Sequence, residues 1–313
     1  MAWTRKVLRV DLSNGTCTAE ALNMTWANEY LGQRGLATKY LSEEVDPQCD
    51  PLGPGNKLIM ATGPLTGTMA STGGRYSVIT KSPLTGVVAC SNSGGFIGAE
   101  IKNAGWDMII FEGKSPEPVY LYLEDDQAEL RPAADLWGKS VWETDEILHK
   151  KHQDPLLRIA CIGRSAEAGC LYAAVVNDLH RAAGRSGVGT VMASKNLKAV
   201  AVRGTLGVGN IADPKAFMDA VNDGKQVLAE NAVTGQGLPT YGTQVLMNVI
   251  NGMGALPTRN MREVQFEGAE KVSGEAMHEP RASDGKPNLT TNAGCFGCTI
   301  ACGRISTIDK GHF

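Results

Sequence analysis

Short runs of β-branched, aliphatic and aromatic residues, broken by glycine- and proline-bearing turns, fill the sequence up to about Gly209, and each has the length and make-up of a strand. They are Val7 to Leu12, Lys57 to Thr62, Tyr76 to Thr80, Val87 to Cys90, Met108 to Phe111, Val119 to Leu123, Leu157 to Ile162 and Leu197 to Val202. Two helices interrupt them. One spans about Asn28 to Ser42; the other opens at Ser93 and closes at Gly105, with Ile97, Ile101 and Ala104 on one face. Beyond Gly209 the apolar spacing lengthens to a helical period. Asp213-Pro214 sets a capping carboxylate before a proline at the first helical position, and Phe217, Ala220, Val221, Val227 and Leu228 continue the stripe. Thr243 caps a second helix holding Val245, Leu246, Val249 and Ile250 and ending near Gly252, while 265–291 is polar and rich in loop formers. The expected fold class is α+β: a strand-rich domain over 1–209, then the start of a helical domain over 210–313.

Length and charge narrow the function. At 313 residues the chain holds roughly two domains of ordinary size. A formal charge of −3 gives no electrostatic footprint for nucleic acid or an anionic membrane, and no apolar stretch approaches the roughly 20 residues of a membrane span. The 37 glycines, clustered with arginine and serine, point to backbone approaching a ligand closely in several places.

The densest chemistry lies at Cys295-x-x-Cys298-x-x-x-Cys302, beside Gly294, Gly297 and Gly303. Three thiolates so close in sequence can converge on one point, as an iron-sulfur cluster requires of four cysteine ligands. The fourth comes from a distant upstream cysteine, from a partner, or from chain beyond Phe313, and the last is the expectation. A structural zinc site ranks lower, because no second Cys-x-x-Cys or His-x-x-x-His exists to complete it. Eight cysteines without a signal peptide at Met1-Ala2-Trp3-Thr4 point to a reducing, cytoplasmic setting rather than to disulfides. Cys17, Cys49, Cys90, Cys161 and Cys170 are expected mostly as small buried hydrophobes.

Three glycine-bearing segments carry candidate ligand contacts. Thr72-Gly73-Gly74-Arg75-Tyr76 turns sharply and presents Arg75 to an anion or planar group, or is only a turn with a solvated arginine. Ser91-Asn92-Ser93-Gly94-Gly95 stands at the mouth of the Phe96 helix, where free N–H groups and the helix dipole favour a phosphate; a plain cap is the alternative. The segment from Asn177 to Gly189 sets His180, Arg181 and Arg185 among Gly184, Gly187 and Gly189, and ordering those charges costs entropy that a bound anion offsets. His180 alone reads as an ordinary surface or core histidine. Gly113-Lys114-Ser115 and Gly138-Lys139-Ser140 lack the first glycine of a P-loop, and Gly184, Gly187 and Gly189 invert the dinucleotide fingerprint, which disfavours an ordinary ATPase or NAD enzyme. The tetrapeptide Pro-Leu-Thr-Gly occurs at Pro64 and at Pro83, through duplicated turns or by coincidence.

In chain order, Leu31-Gly32-Gln33-Arg34-Gly35-Leu36, Gly63-Pro64-Leu65-Thr66-Gly67-Thr68, Gly73-Gly74-Arg75-Tyr76, Asn92-Ser93-Gly94-Gly95, His180-Arg181-Ala182-Ala183-Gly184-Arg185, Ser194-Lys195-Asn196-Leu197-Lys198-Ala199 and the terminal cysteines resemble the tungsten-dependent aldehyde:ferredoxin oxidoreductases. The resemblance runs from about Val7 to Arg304. It implies that 1–209 binds a metallopterin and that 210–313 carries the iron-sulfur motif. Two pterin dithiolenes would hold tungsten or molybdenum through four sulfurs, leaving the protein to seat phosphates. By that similarity, Arg75 lies between pterin and cluster, Asn92 and Ala182 offer carbonyls to a Mg²⁺ bridging the pterin phosphates, and Gly94, Arg181, Gly184 and Arg185 line the cofactor. Cys295, Cys298 and Cys302 would be three ligands of a [4Fe-4S] cluster.

The implied reaction is oxidation of a small aldehyde and water to a carboxylic acid, with two electrons passing through the cluster to a ferredoxin-like acceptor or to separate iron-sulfur and flavin subunits. No catalytic residue is assigned, because the family's acid–base and pocket residues are expected beyond Phe313, and a homo-oligomer is left open. Gly163-Arg164-Ser165-Ala166-Glu167 departs from the Gly-Pro-Ala-Gly-Glu often found in the family, which puts that loop, a candidate pocket wall, outside the resemblance. The competing reading from another class is a non-catalytic iron-sulfur electron-transfer module.

Overall fold

The structure, a computed structural model, describes residues 2–307. It divides into two compact units, Met1–Pro214 and Lys215–Phe313. In the first unit the elements are β1 (Lys6–Asp11), β2 (Thr16–Ala21), α1 (Met24–Tyr30), α2 (Gln33–Glu44), β3 (Leu58–Thr62), β4 (Tyr76–Lys81), β5 (Val88–Ser93), α3 (Ile97–Asn103), β6 (Met108–Glu112), β7 (Val119–Glu124), β8 (Gln127–Pro132), α4 (Val141–His152), β9 (Arg158–Cys161), α5 (Arg164–Glu167), β10 (Val175–Asn177), β11 (Arg181–Ala183), α6 (Val188–Ser194) and β12 (Leu197–Arg203).

These strands form two six-stranded sheets with the same internal order. The first runs β2-β1-β6-β3-β4-β5 and the second β8-β7-β12-β9-β10-β11. In each, the sixth strand of the half pairs parallel to the first and every other pairing is antiparallel. The helices follow suit: α1–α2 and α4 join second strand to third, and α3 and α6 join fifth to sixth. The first unit is therefore one ββαβββαβ topology used twice. The paired Pro-Leu-Thr-Gly turns play no part in that repeat, since both fall in the first half.

Burial explains the layers. One core gathers Leu8, Met60, Val78 and Phe111 from the first sheet, Leu121, Ala160, Val175 and Val200 from the second, and Ile97, Ile101, Val188 and Val191 from α3 and α6. Outside it, α1 and α2 cover the far face of the first sheet through Ala27, Leu36, Tyr40 and Leu41, and α4 helps cover that of the second through Val141 and Leu148. Residues 58–62 are buried throughout, which is why that strand reads as a continuous apolar run. Strands β2 and β8 are sheet edges with no fully buried residue, and their polar sequences hid them.

The expected helix over Asn28 to Ser42 is two helices. Gly32 ends the first: a Cβ there would sit 3.0 Å from the Gly63 Cα, so two backbones cross where a continuous helix cannot pass, and Leu31 turns left-handed at φ 63°. The helix expected from Ser93 begins only at Ile97, because Ser93 still pairs with Tyr76 in the first sheet. Helix α4 was unforeseen although Ser140 and Glu143 form a capping box at its start.

Buried lysines join the pieces. The Lys195 ammonium donates to the carbonyls of Asn56 and Gly113, and Lys198 donates to the Lys139 carbonyl and the Glu167 carboxylate. Arg164 and Glu167 both bind Gly138, so the loop from Gly163 to Glu167 acts as a clamp on a neighbouring turn. No helix among the described residues is long and apolar enough to cross a membrane.

Helix α7 (Pro214–Glu230) carries the chain into the second unit, where α8 (Leu238–Tyr241), α9 (Met247–Gly252), α10 (Gly274–His278) and a hairpin of β13 (Leu289–Ala293) and β14 (Gly303–Ser306) follow. The hairpin was not expected.

Candidate functional site

Strands β5 and β11 occupy the same place in their respective halves and form the edges of the two sheets. They meet. Ser91 Oγ accepts from the Arg185 amide at 3.0 Å, Ser82 Oγ donates to the Ser186 carbonyl at 2.9 Å, and Ser93 Oγ donates to Asn177 Oδ1 at 2.7 Å. Asn92 and Ala182 are each the penultimate residue of these equivalent strands. The glycine segments that follow, Gly94-Gly95 and Gly184 to Gly187, are equivalent strand-to-helix connections brought side by side.

Arg75 is exposed at the first-half side of this seam and donates to Asn92 Oδ1 at 2.6 Å. Its carbonyl accepts from Gln33 Nε2 at 2.9 Å and Thr66 Oγ1 at 3.2 Å, while Asn92 Nδ2 donates to the Tyr76 carbonyl at 3.1 Å and to Ser77 Oγ at 3.2 Å. Four of the sequence motifs thus share one hydrogen-bonded node. Beside it lies a cavity of about 320 Å³ bounded by Gly32, Gln33, Gly63, Thr66, Gly73 and Arg75. Three of the lining residues, Leu31 (φ 63°), Gln33 (φ 42°) and Thr72 (φ 65°), hold left-handed backbone without being glycine, and such strain clusters at ligand sites.

The donor set suits an anion. Among the described residues neither Arg75 nor Arg185 forms a salt bridge, so two guanidinium groups at the seam lack a carboxylate counter-charge. Ala182, Gly184 and Arg185 are exposed, Arg181 and Asn92 are half-buried, and Gly94 is buried with its carbonyl accepting from Asn177 Nδ2 at 2.9 Å. At the mouth of α3, a helix of seven residues, the Phe96 amide is already taken: it donates to Asp178 Oδ2 at 2.9 Å. Gln33, Asn177 and Asp178 carry no local signal of a site; hydrogen bonds to residues remote in the chain reveal them. Burial pushes the Tyr76 phenol far above its ordinary value, keeping the proton that it donates to Asn177 Oδ1 at 3.2 Å.

The three terminal cysteines occupy the loop of the β13–β14 hairpin, closed by Ala293 paired with Gly303. All are free and half-buried, and the Cys298 amide donates to the Cys295 carbonyl in a tight turn. Among the described residues no three metal-ligating side chains are gathered into a ready site, so the loop brings the cysteines onto one turn without converging their sulfurs. Gly297 (φ 61°) and Ala301 (φ 46°) are the left-handed points within it. Of the other five cysteines, only Cys161 is fully buried; Cys17, Cys49, Cys90 and Cys170 are half-buried, contrary to expectation.

The aldehyde ferredoxin oxidoreductase N-terminal domain matches residues 7–204, and domains 2 and 3 of the same family match 219–313. The tungsten-containing aldehyde ferredoxin oxidoreductase of Pyrococcus abyssi is 51% identical over 305 residues, covering 97% of this chain and 49% of that protein. That of Pyrococcus horikoshii is 50% identical, with the same coverage of 97% and 49%. A solved structure, the active-site complex BamBC of benzoyl coenzyme A reductase with 1,5-dienoyl-CoA, superimposes with a TM-score of 0.82 at 33% identity, covering 99% of this chain and 48% of that one. The chain spans about half the length of the curated relatives it matches.

Proposed function

Because the chain belongs to the aldehyde ferredoxin oxidoreductase family, we propose that its first unit seats a tungsten or molybdenum bis-pterin, and that the whole protein oxidises an aldehyde to a carboxylic acid. The observation that carries this reading is the seam: two equivalent strand-to-helix loops, one from each half, stand together beside the guanidinium groups of Arg75 and Arg185, neither of which forms a salt bridge among the described residues. A duplicated fold presenting duplicated loops suits a pair of similar phosphate-bearing ligands. The similarity to tungsten-containing relatives favours tungsten over molybdenum.

Arg75, Arg181 and Arg185 would neutralise phosphate charge, Gly94 and Gly184 would admit the ligand close to backbone, and the Asn92 and Ala182 carbonyls would face a bridging Mg²⁺. Bound there, the metal dithiolene would supply the two-electron exchange by which an aldehyde and water become a carboxylic acid, two protons and two electrons. Cys295, Cys298 and Cys302 would hold a [4Fe-4S] cluster, whose binding would draw the half-buried thiols of the hairpin loop together. A ferredoxin-like protein or separate iron-sulfur and flavin subunits would accept the electrons. Eight free cysteines support a reducing, cytoplasmic setting.

Metal analysis and pterin fluorescence on protein purified without oxygen test the assignment. Tungsten or molybdenum with pterin, lost in Arg75→Ala, together with iron lost in Cys298→Ser, is the expected result. Iron and sulfide without pterin would instead favour the non-catalytic iron-sulfur module.

A further inference from the structure

We propose that Asn177 and Asp178 are positioning residues that lock the Ser93–Phe96 loop of the first half to the β10–β11 turn of the second, and so set the spacing of the two cofactor-facing loops; this role rests on the cofactor reading above. Asn177 is 1% exposed. Its Oδ1 accepts from Tyr76 OH at 3.2 Å and Ser93 Oγ at 2.7 Å, and its Nδ2 donates to the Gly94 carbonyl at 2.9 Å and Asp178 Oδ2 at 2.7 Å. Both lone pairs and both N–H bonds are used, and a flipped amide would face its oxygen toward two acceptors, so the orientation is fixed.

Asp178 completes the lock. Its side chain is 5% exposed, and the Oδ2 that takes Asn177 also takes the Phe96 amide at 2.9 Å. The Arg158 guanidinium stands 3.8 Å from Oδ1 and lies over the Phe96 ring at 4.7 Å, which balances the carboxylate from behind and holds the same aromatic. Asp178 (φ 48°) and Leu179 (φ 58°) keep left-handed backbone in succession, and the chain resumes at Arg181 and Ala182. Such a turn persists only where its surroundings over-determine it. Here the side chain of one strained residue is tied to the opposite half. A Cβ on Gly95 would overlap Asp178 Oδ2, so the two loops are already at closest approach.

The experiment compares wild type, Asp178→Ala and Asp178→Asn in the intact protein. Tungsten, molybdenum and pterin per polypeptide are measured, and amide exchange is followed on protein produced without either metal. Asp178→Ala is expected to speed exchange at Phe96 by about tenfold, as loss of about one hydrogen bond implies, while the buried amides of β3 and β4 stay unchanged. Cofactor occupancy should fall in the same variant, with Asp178→Asn between it and wild type because the amide oxygen still accepts from Phe96. Unchanged exchange, or faster exchange with occupancy at the wild-type level, overturns the proposal. Should Asp178→Ala fail to fold, wild-type exchange and occupancy in Asp178→Asn overturn it equally. Wild type lacking pterin and both metals removes the cofactor reading, and this proposal with it, before any variant is compared.

Discussion

Replacing Gly95 with alanine should damage the seam far more than the same change at Gly86. Both glycines are left-handed, with φ of 92° and 73°, so each substitution carries a backbone cost of about 1–3 kcal/mol. At Gly86 that is all, since nothing lies within 4 Å of the new methyl. At Gly95 the methyl would overlap Asp178 Oδ2 and stand 2.7 Å from Asn177 Nδ2 and 3.2 Å from Arg181 Cγ. The carboxylate must retreat and loosen two charge-assisted hydrogen bonds, each worth about 1.5–3 kcal/mol. Local relaxation recovers part of this, leaving Gly95→Ala about 2–4 kcal/mol worse than Gly86→Ala. For a unit of this size, at about 2–4 °C per kcal/mol, the melting temperatures should separate by roughly 4–16 °C. Thermal unfolding of the two variants, with metal and pterin content measured alongside, checks the calculation. Melting points within about 2 °C of each other, with equal cofactor content, would show that the loops do not press together here.

Three further outcomes follow from the buried ionisable groups. Glu167→Ala strands the fully buried Lys198 ammonium and should cost about 3–5 kcal/mol in urea unfolding, while the Lys198→Met/Glu167→Gln pair should lie within about 1 kcal/mol of wild type; a mild single variant would mean that Lys198 finds another partner. Burial lowers the Lys195 ammonium to about 8 from 10.5, so the unfolded chain holds a proton that the folded chain has released between those values. Stability relative to Lys195→Met should therefore rise from about pH 8 to about pH 10.5, and a flat or falling difference in urea midpoints would count against the assignment. Burial pushes the Cys161 thiol up to about 12, so iodoacetamide at pH 8 followed by peptide mapping should find it the last cysteine alkylated; early labelling would refute its enclosure.

The eight expected strands are all present because each packs at least one face on a core and carries an apolar run to match. Polar edge strands and the three-residue β10 and β11 left no such trace, since their partners rather than their own residues hold them extended. The site divides in the same way. Arg75, Asn92, Arg181 and Arg185 stood out as charge or amide among glycines, a local signal. Gln33, Asn177 and Asp178 did not, because what distinguishes them is hydrogen bonding to residues remote in the chain, the four bonds of Asn177 reaching as far as Tyr76, 101 positions away.

The order of residues alone decided the strand-rich first unit, the helical opening of the second, the cysteine run and the glycine motifs, because those depend on neighbours within a few positions. Three-dimensional packing alone decided that the first unit is one topology used twice and that β5 and β11 meet. The physical reason is that strand pairing and buried hydrogen bonds are made between residues remote in the chain, where no local periodicity records which partner will close the contact.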